Sequence, residues 1–218
     1  MTIATPAQGN QHADWVNFGL VIGAGVYQGA LGNPNLRKEE PRESVDIAEQ
    51  IAWHIQPRTF QTRLLRFHEA NHQTIKDYLV ALKTTVEQIR VDGKRASLFL
   101  FIGGRCDDSG HIRLYQQGEV LHDEFLKPHL DALDIPILAI LHTQGRPDLY
   151  LLNGSARPAR YGAIYCRDEL IHTNLIQIRT ILVAQSPITA RVFCDHMSRQ
   201  SDLLVVPPHR DVDFRILS

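Results

Sequence analysis

Ser97-Leu98-Phe99-Leu100-Phe101-Ile102 is a serine followed by five large apolar residues, and Gly103-Gly104 closes it. A run this short and this apolar, rich in aromatic and β-branched side chains, predicts a strand buried on both faces. Such strands belong to parallel sheets covered by helices on either side. Upstream, Ile75, Tyr78, Leu79, Leu82, Val86 and Ile89 recur every three or four positions and predict a helix over 71–90, broken by Asp92-Gly93. Downstream, Pro136-Ile137-Leu138-Ala139-Ile140-Leu141 is a second run of the same kind.

The same signals continue outward. Apolar runs at 18–22, 62–67, 178–184 and 203–206 predict further strands, the run at 178–184 being the fifth main one. Helices are expected over 42–55, 123–133 and 188–199. The first of these starts after Pro41 and lines up Val45, Ala48, Ile51, Ala52 and Ile55 on one face. Residues 111–116 alternate like a hairpin strand, and 142–160 reads as loop with a strand at 149–152. Strand and helix alternate along the chain. This predicts an α/β fold, a three-layer α/β/α sandwich with a mostly parallel central sheet. There is no internal repeat or linker, so one domain is expected over 16–218, after a flexible leader over 1–15.

The totals narrow the function classes. Lysine and arginine number 23 against 24 acids, so there is no general basic footprint and no nucleic-acid partner is expected. No apolar run reaches the roughly 20 residues of a membrane span, so no membrane is expected. The first 14 residues lack the charged head and apolar stretch of a secretory signal. The three cysteines, Cys106, Cys166 and Cys194, are odd in number and widely spaced. Reduced thiols in a cytoplasmic protein are expected.

Gly23-Ala24-Gly25-Val26-Tyr27-Gln28-Gly29 follows an apolar strand and is a loose glycine fingerprint for a dinucleotide. Such a loop needs a helix to begin at once and aim its amides at the pyrophosphate. Here Gly32, Pro34 and Pro41 intervene, and the acid expected at the end of a second strand is missing. A nucleotide-binding enzyme using the Gly23–Gly29 loop is therefore an alternative, not the leading reading.

Leu20-Val21-Ile22-Gly23-Ala24-Gly25-Val26-Tyr27, Ser44-Val45-Asp46-Ile47-Ala48-Glu49, the helix before Ser97, and Leu121-His122-Asp123-Glu124-Phe125-Leu126 occur in one order. In that order they resemble the caspase/metacaspase family of cysteine peptidases, especially its bacterial branch. In that family the third strand ends in a motif like "GHG", whose His is the general base, and the fourth in one like "DaCrsG", whose Cys is the nucleophile. Here Ile102-Gly103-Gly104-Arg105 and Ile140-Leu141-His142-Thr143-Gln144-Gly145 stand in those places. Gly104 falls where the His belongs and His142 where the Cys belongs. The resemblance runs over about residues 16–206.

Neither catalytic residue carries over. Glycine cannot accept a proton, and an imidazole does not replace a thiol. The resemblance therefore implies a catalytically inactive, pseudo-protease member with no cofactor, kept for protein binding and regulation in a bacterial signalling or defence system. Its partner would be a protein or peptide, with a homodimer or pairing with an active homologue through a sheet edge. Arg105, Asp107, Asp108 and Arg146 are the candidate cleft residues, the arginines suited to gripping carboxylates and the acids to selecting basic side chains. An alternative is a cysteine peptidase with a rearranged Cys106/His142 pair, the imidazolium lowering the thiol pKa. Cys106, His111 and His142 with Asp107 or Asp108 could also converge on a metal, although no close ligand spacing supports it. Pro207-Pro208-His209-Arg210-Asp211 reads as an exposed tail.

Overall fold

A computed structural model of the chain describes residues 15–24, 40–116, 118–167, 171–184, 188–199 and 203–217. The first half runs β1 (Trp15–Ala24), α1 (Glu40–Ile55), β2 (Gln61–Arg66), α2 (His72–Val91), β3 (Arg95–Arg105), β4 (Ile112–Arg113) and β5 (Val120–Leu121). The second runs α3 (Asp123–Leu133), β6 (Ile137–Gln144), β7 (Tyr161–Arg167), α4 (Ile171–Ala184), β8 (Ile188–Thr189), α5 (Ala190–Met197), β9 (Leu203–Val206) and β10 (Arg215–Leu217). Six strands form the central sheet in the order β2-β1-β3-β6-β7-β9. All neighbours are parallel except β9, which runs antiparallel to β7. Helices cover both faces, which is the three-layer sandwich expected.

The run from Ser97 to Ile102 lies at the middle of this sheet. Because side chains alternate along a strand, β3 sends Leu98, Leu100 and Ile102 to one face and Phe99 and Phe101 to the other. The first set packs under α2 and α3 through Ile75, Leu79, Leu82, Leu126 and Leu130. The second packs under α1, α4 and α5 through Ala48, Ile51, Ile178, Leu182 and Phe193. Each such side chain taken fully out of water is worth about 2 kcal/mol, and this two-sided burial fixes the register of β3. The start of α2 is set by Asn71, whose side chain accepts the Thr74 amide at 2.9 Å.

Three expectations need correction. Residues 178–184 are not a strand but the C-terminal half of α4. Within 178–184 the only polar residues are the adjacent Arg179 and Thr180, so the stretch shows no helical period, and its Ile, Thr and Val residues imitate a strand. The fifth parallel strand is β7, whose Tyr-Gly-Ala-Ile-Tyr-Cys sequence is too mixed to announce itself. At 149–152 the backbone makes a 3-10 turn, Tyr150–Leu152, and the hairpin strand expected over 111–116 is shortened to Ile112 and Arg113, which pair antiparallel with β5, Ile112 also bridging to Cys106.

The segment 207–211 is exposed at all but Pro208, as expected, yet it is not a loose tail. Pro208 is buried against Gly162, and the His209 amide bonds the Ala159 carbonyl at 2.8 Å. The following β10 pairs with β8 and buries Ile216 and Leu217. Buried Asn17 and Ser97 both donate to the Arg215 carbonyl, at 2.9 and 2.5 Å, tying this return segment to β1 and β3. At the other end, β1 begins at Trp15, the last residue of the stretch read as leader. No helix among the described residues is long and apolar enough to cross a membrane.

Candidate functional site

The ends of β3 and β6 lie side by side. Gly103 pairs with His142, Gly104 with Thr143 and Arg105 with Gln144. Neighbouring strands in register share a face at each level, and successive residues alternate. Gly103 and His142 therefore belong to the face under α1, whereas Gly104 and Thr143 belong to the face under α2 and α3. The surroundings agree. A Cβ on Gly103 would meet the Ser44 carbonyl of α1 at 3.3 Å, and one on Gly104 would meet Ala24 O at 3.0 Å and Ile112 at 3.1 Å.

On the α1 side, His142 is 2% exposed and its ring stacks on Phe101, the centroids 6.3 Å apart at 22°. Its Nε2 is buried with no hydrogen-bond partner among the described residues. Burial pushes the imidazole down to about 4, so it is neutral at pH 7. The cysteine beside it in register is Cys166 of β7. That thiol is fully buried, and burial alone raises it to about 12, so it stays protonated and inert. No sequence spacing announces this neighbour; it needs the β6–β7 register.

On the opposite side, the Cys106 amide bonds Gln144 O at 2.8 Å, and its thiol donates to Gly145 O at 3.2 Å. Thr143 Oγ1 donates to the same carbonyl at 2.8 Å. Gly145 has φ +79°, a left-handed conformation that side chains rarely adopt. Burial raises the Cys106 pKa. The hydrogen bond with Thr143 pulls it back in part, and the Asp107 charge adds to the rise. The thiol is thus a donor, not a thiolate.

The loop after Cys106 is self-contained. Asp107 Oδ1 accepts the amides of Ser109 and His111, both at 2.9 Å, and His111 Nδ1 lies 3.6 Å from Asp107 Oδ2. Gly110, at φ +80°, accepts the Asp148 amide at 2.9 Å and docks this loop on residues 146–148. Beside it opens a cleft of about 450 Å³, lined by Arg146, Asp148, Leu149, Leu152 and Asn153 among others.

The structure thus separates the candidates. Cys106, Asp107 and Arg146 gather on the α2/α3 side with Gly104. His142 and, by alternation, the exposed Arg105 belong to the α1 side, and Asp108 is exposed on the loop. The Cys106/His142 pair is not assembled, because the sheet stands between the two side chains. The same separation takes His142 away from Cys106 and His111 as metal ligands, and among the described residues no group of three His, Cys, Asp or Glu side chains could hold a metal. Asp107 is occupied by its own loop, not turned to a basic guest. Of the glycine loop, residues 25–29 lie outside the described residues. A Cβ on Gly23 would come within 2.9 Å of Ala48, so this glycine admits α1. Thr143 and Gly145 complete the site, and neither residue type signals a role until β3 and β6 are laid together. No family model matches the sequence, and no curated protein is significantly similar to it.

Proposed function

We propose that this chain is a catalytically inactive caspase-like domain that acts by binding a protein or peptide partner, in a bacterial signalling or defence system and in the cytoplasm. The observation that carries the reading is the geometry at the paired strand ends. The positions that the resemblance aligns with base and nucleophile, Gly104 and His142, hold no acid–base pair and face opposite sides of the sheet. The thiols on either side are protonated by burial. Hydrolysis of a peptide needs a nucleophile and a base within hydrogen-bond reach of each other, and this site supplies neither.

Binding has a better physical basis. The two edges of the sheet differ. The β2 edge carries Arg63 and Arg66, ion-paired with Glu69 and Glu49, the kind of charged edge that discourages strand addition. The β9 edge, Leu203-Leu204-Val205-Val206, has no charge at all. An uncharged antiparallel edge strand is suited to receive a strand from a peptide, a second copy or an active homologue.

The test is covalent labelling. The purified protein is treated with peptidyl electrophiles carrying Arg, Lys or Asp at the reactive end, and its intact mass is read. The expected outcome is no peptide-dependent modification, with any slow labelling shared among the three thiols. Saturating modification at Cys106 that disappears in His142→Ala would overturn the reading in favour of a rearranged peptidase.

A further inference from the structure

The cleft beside the 107–111 loop holds two charges that the fold leaves unused. The acids that support its walls are occupied. Asp107 holds its own loop, and Asp123 accepts the Tyr150 amide on both carboxylate oxygens, at 2.8 and 3.1 Å. Arg146 and Asp148 differ. Both line the cleft and both are exposed, yet neither side chain pairs with the other or with any group among the described residues. The walls themselves are fixed. Gly145 O accepts the Cys106 thiol and the Thr143 hydroxyl, and the Asp148 amide bonds Gly110 O at 2.9 Å. The Leu152 and Asn153 amides close their turn on Leu149 O and Tyr150 O, at 2.9 and 3.0 Å. A site ordered in advance loses little freedom when a ligand arrives. The cleft of about 450 Å³ falls within the roughly 300–1,000 Å³ of ligand pockets.

The residue types in the cleft define its guest. A guanidinium presents a planar fork of N–H donors that matches a carboxylate. Asn153 has its Oδ1 held by the Ser155 amide and hydroxyl, at 3.2 and 2.8 Å, which leaves its side-chain amide nitrogen as a second donor. Asp148 stands two positions from Arg146 and is an acceptor for an N–H. Leu149 and Leu152 supply apolar lining. A carboxylate, an N–H next to it and an apolar side chain occur together in one chemical unit, the terminal residue of a peptide. An acidic residue inside a chain carries its carboxylate on the side chain and brings no apolar group of its own. Capture of a C-terminal carboxylate is an established way of reading a peptide by its end.

We infer that this cleft binds the free C-terminal end of a peptide, with the α-carboxylate on Arg146 and Asn153, the N–H of the last residue on Asp148 and an apolar side chain against Leu149 and Leu152. The inference deepens the reading of the chain as a non-catalytic peptide-binding domain and rests on it. The site is separate from the β9 edge.

Isothermal titration with N-acetyl-Leu-Leu as the free acid tests it, beside the same peptide as its C-terminal amide, N-acetyl-Leu-Asp amide and free leucine. The acid is expected to bind saturably, and the other three at least about tenfold more weakly. Arg146→Ala should weaken the acid by at least about tenfold and leave the amide unchanged. Its circular dichroism should stay that of wild type, because Arg146 is exposed. Equal binding of acid and amide, or no binding of the acid at millimolar concentration, overturns the inference. So does free leucine that matches the acid, which would make the ligand an amino acid, or N-acetyl-Leu-Asp amide that matches it, which would make it an acidic side chain. Binding kept in Arg146→Ala but lost in Leu204→Lys would move the peptide to the sheet edge and overturn this inference alone. Release of leucine from the peptide, read by mass spectrometry, would instead overturn the non-catalytic reading on which it rests.

Discussion

The two faces of the sheet at the ends of β3 and β6 are built to opposite rules. Under α2 and α3, the Cys106 thiol, the Thr143 hydroxyl and the Asp107 carboxylate are all paired. One carbonyl, Gly145 O, accepts both the thiol and the Thr143 hydroxyl, and Asp107 is spent on its own loop. Under α1, His142 is as deeply buried, yet its Nε2 has no partner among the described residues. Around Cys106 the groups are satisfied, whereas His142 is an uncompensated polar group; farther from the strand ends, the Tyr150 hydroxyl on the α2/α3 side is also buried without a partner among the described residues. The difference shows that deep burial at a strand end does not by itself imply chemistry. What matters is whether nucleophile, base and acceptor share a face, and here the alternation of β6 divides them between two.

The largest expected effect comes from the unsatisfied side. The folded state holds His142 neutral down to about pH 4, while the unfolded chain takes up a proton near the ordinary histidine value of 6.5. Between those values the unfolded state binds more protons, so stability rises with pH across the window and is lost as pH falls from 6.5 towards 4. At about 1.4 kcal/mol per pKa unit, the loss is about 3 kcal/mol. His142→Phe keeps the stack on Phe101 and removes the titration. Urea unfolding at a series of pH values should give a variant whose stability between pH 6.5 and 4 is flatter than wild type by that amount. Parallel curves would mean that the imidazole is not held neutral and that the two faces do not differ in this way.

A smaller effect tests whether the faces are truly separate. Installing the two residues that the resemblance lacks, as Gly104→His with His142→Cys, should give no peptide hydrolysis, because the new imidazole and thiol would project to opposite sides. Gly104→His alone should cost about 2 kcal/mol by overpacking, since its Cβ arrives 3.0 Å from the Ala24 carbonyl and 3.1 Å from Ile112. Chemical denaturation and a fluorogenic peptide assay read the two parts. Cleavage by the double variant would show that the strand ends can bring the groups together after all.

What the sequence made legible follows from which signals were local. The run from Ser97 to Ile102, the periodic face of α2 and the run at Pro136 each announce their element through their own residues, and the layered fold follows from their order. Helix α4 was hidden because its second half, 178–184, has only Arg179 and Thr180 as polar residues, too few to show the helical period, and β7 because Gly162 and Ala163 interrupt its strand-favouring Tyr and Ile residues. The site was less legible. The order of elements places Cys106 and His142 near each other, since both lie at the ends of adjacent strands. Which face each occupies depends on the parity of its position along the strand and on the β3–β6 register, and no motif states either. Cys166, the thiol that does stand beside His142, lies 24 positions away on a strand that pattern alone does not reveal.

The smallest effect belongs to the satisfied face. Cys106→Ala removes a thiol that donates to Gly145 O, yet Thr143 continues to donate to the same carbonyl. The acceptor is therefore not left bare, and the large penalty for a buried unsatisfied group does not arise. The cost should be about 1 kcal/mol, mostly lost packing, and Cys106→Ser should recover part of it by donating in place of the thiol. Removing both donors, as Cys106→Ala with Thr143→Val, should cost more than the sum of the single changes, because only then is the carbonyl stripped of partners. Denaturation midpoints of the four proteins close this cycle. Strict additivity would mean that the shared carbonyl holds neither group in place, and the contrast between a satisfied and an unsatisfied face would lose its physical basis.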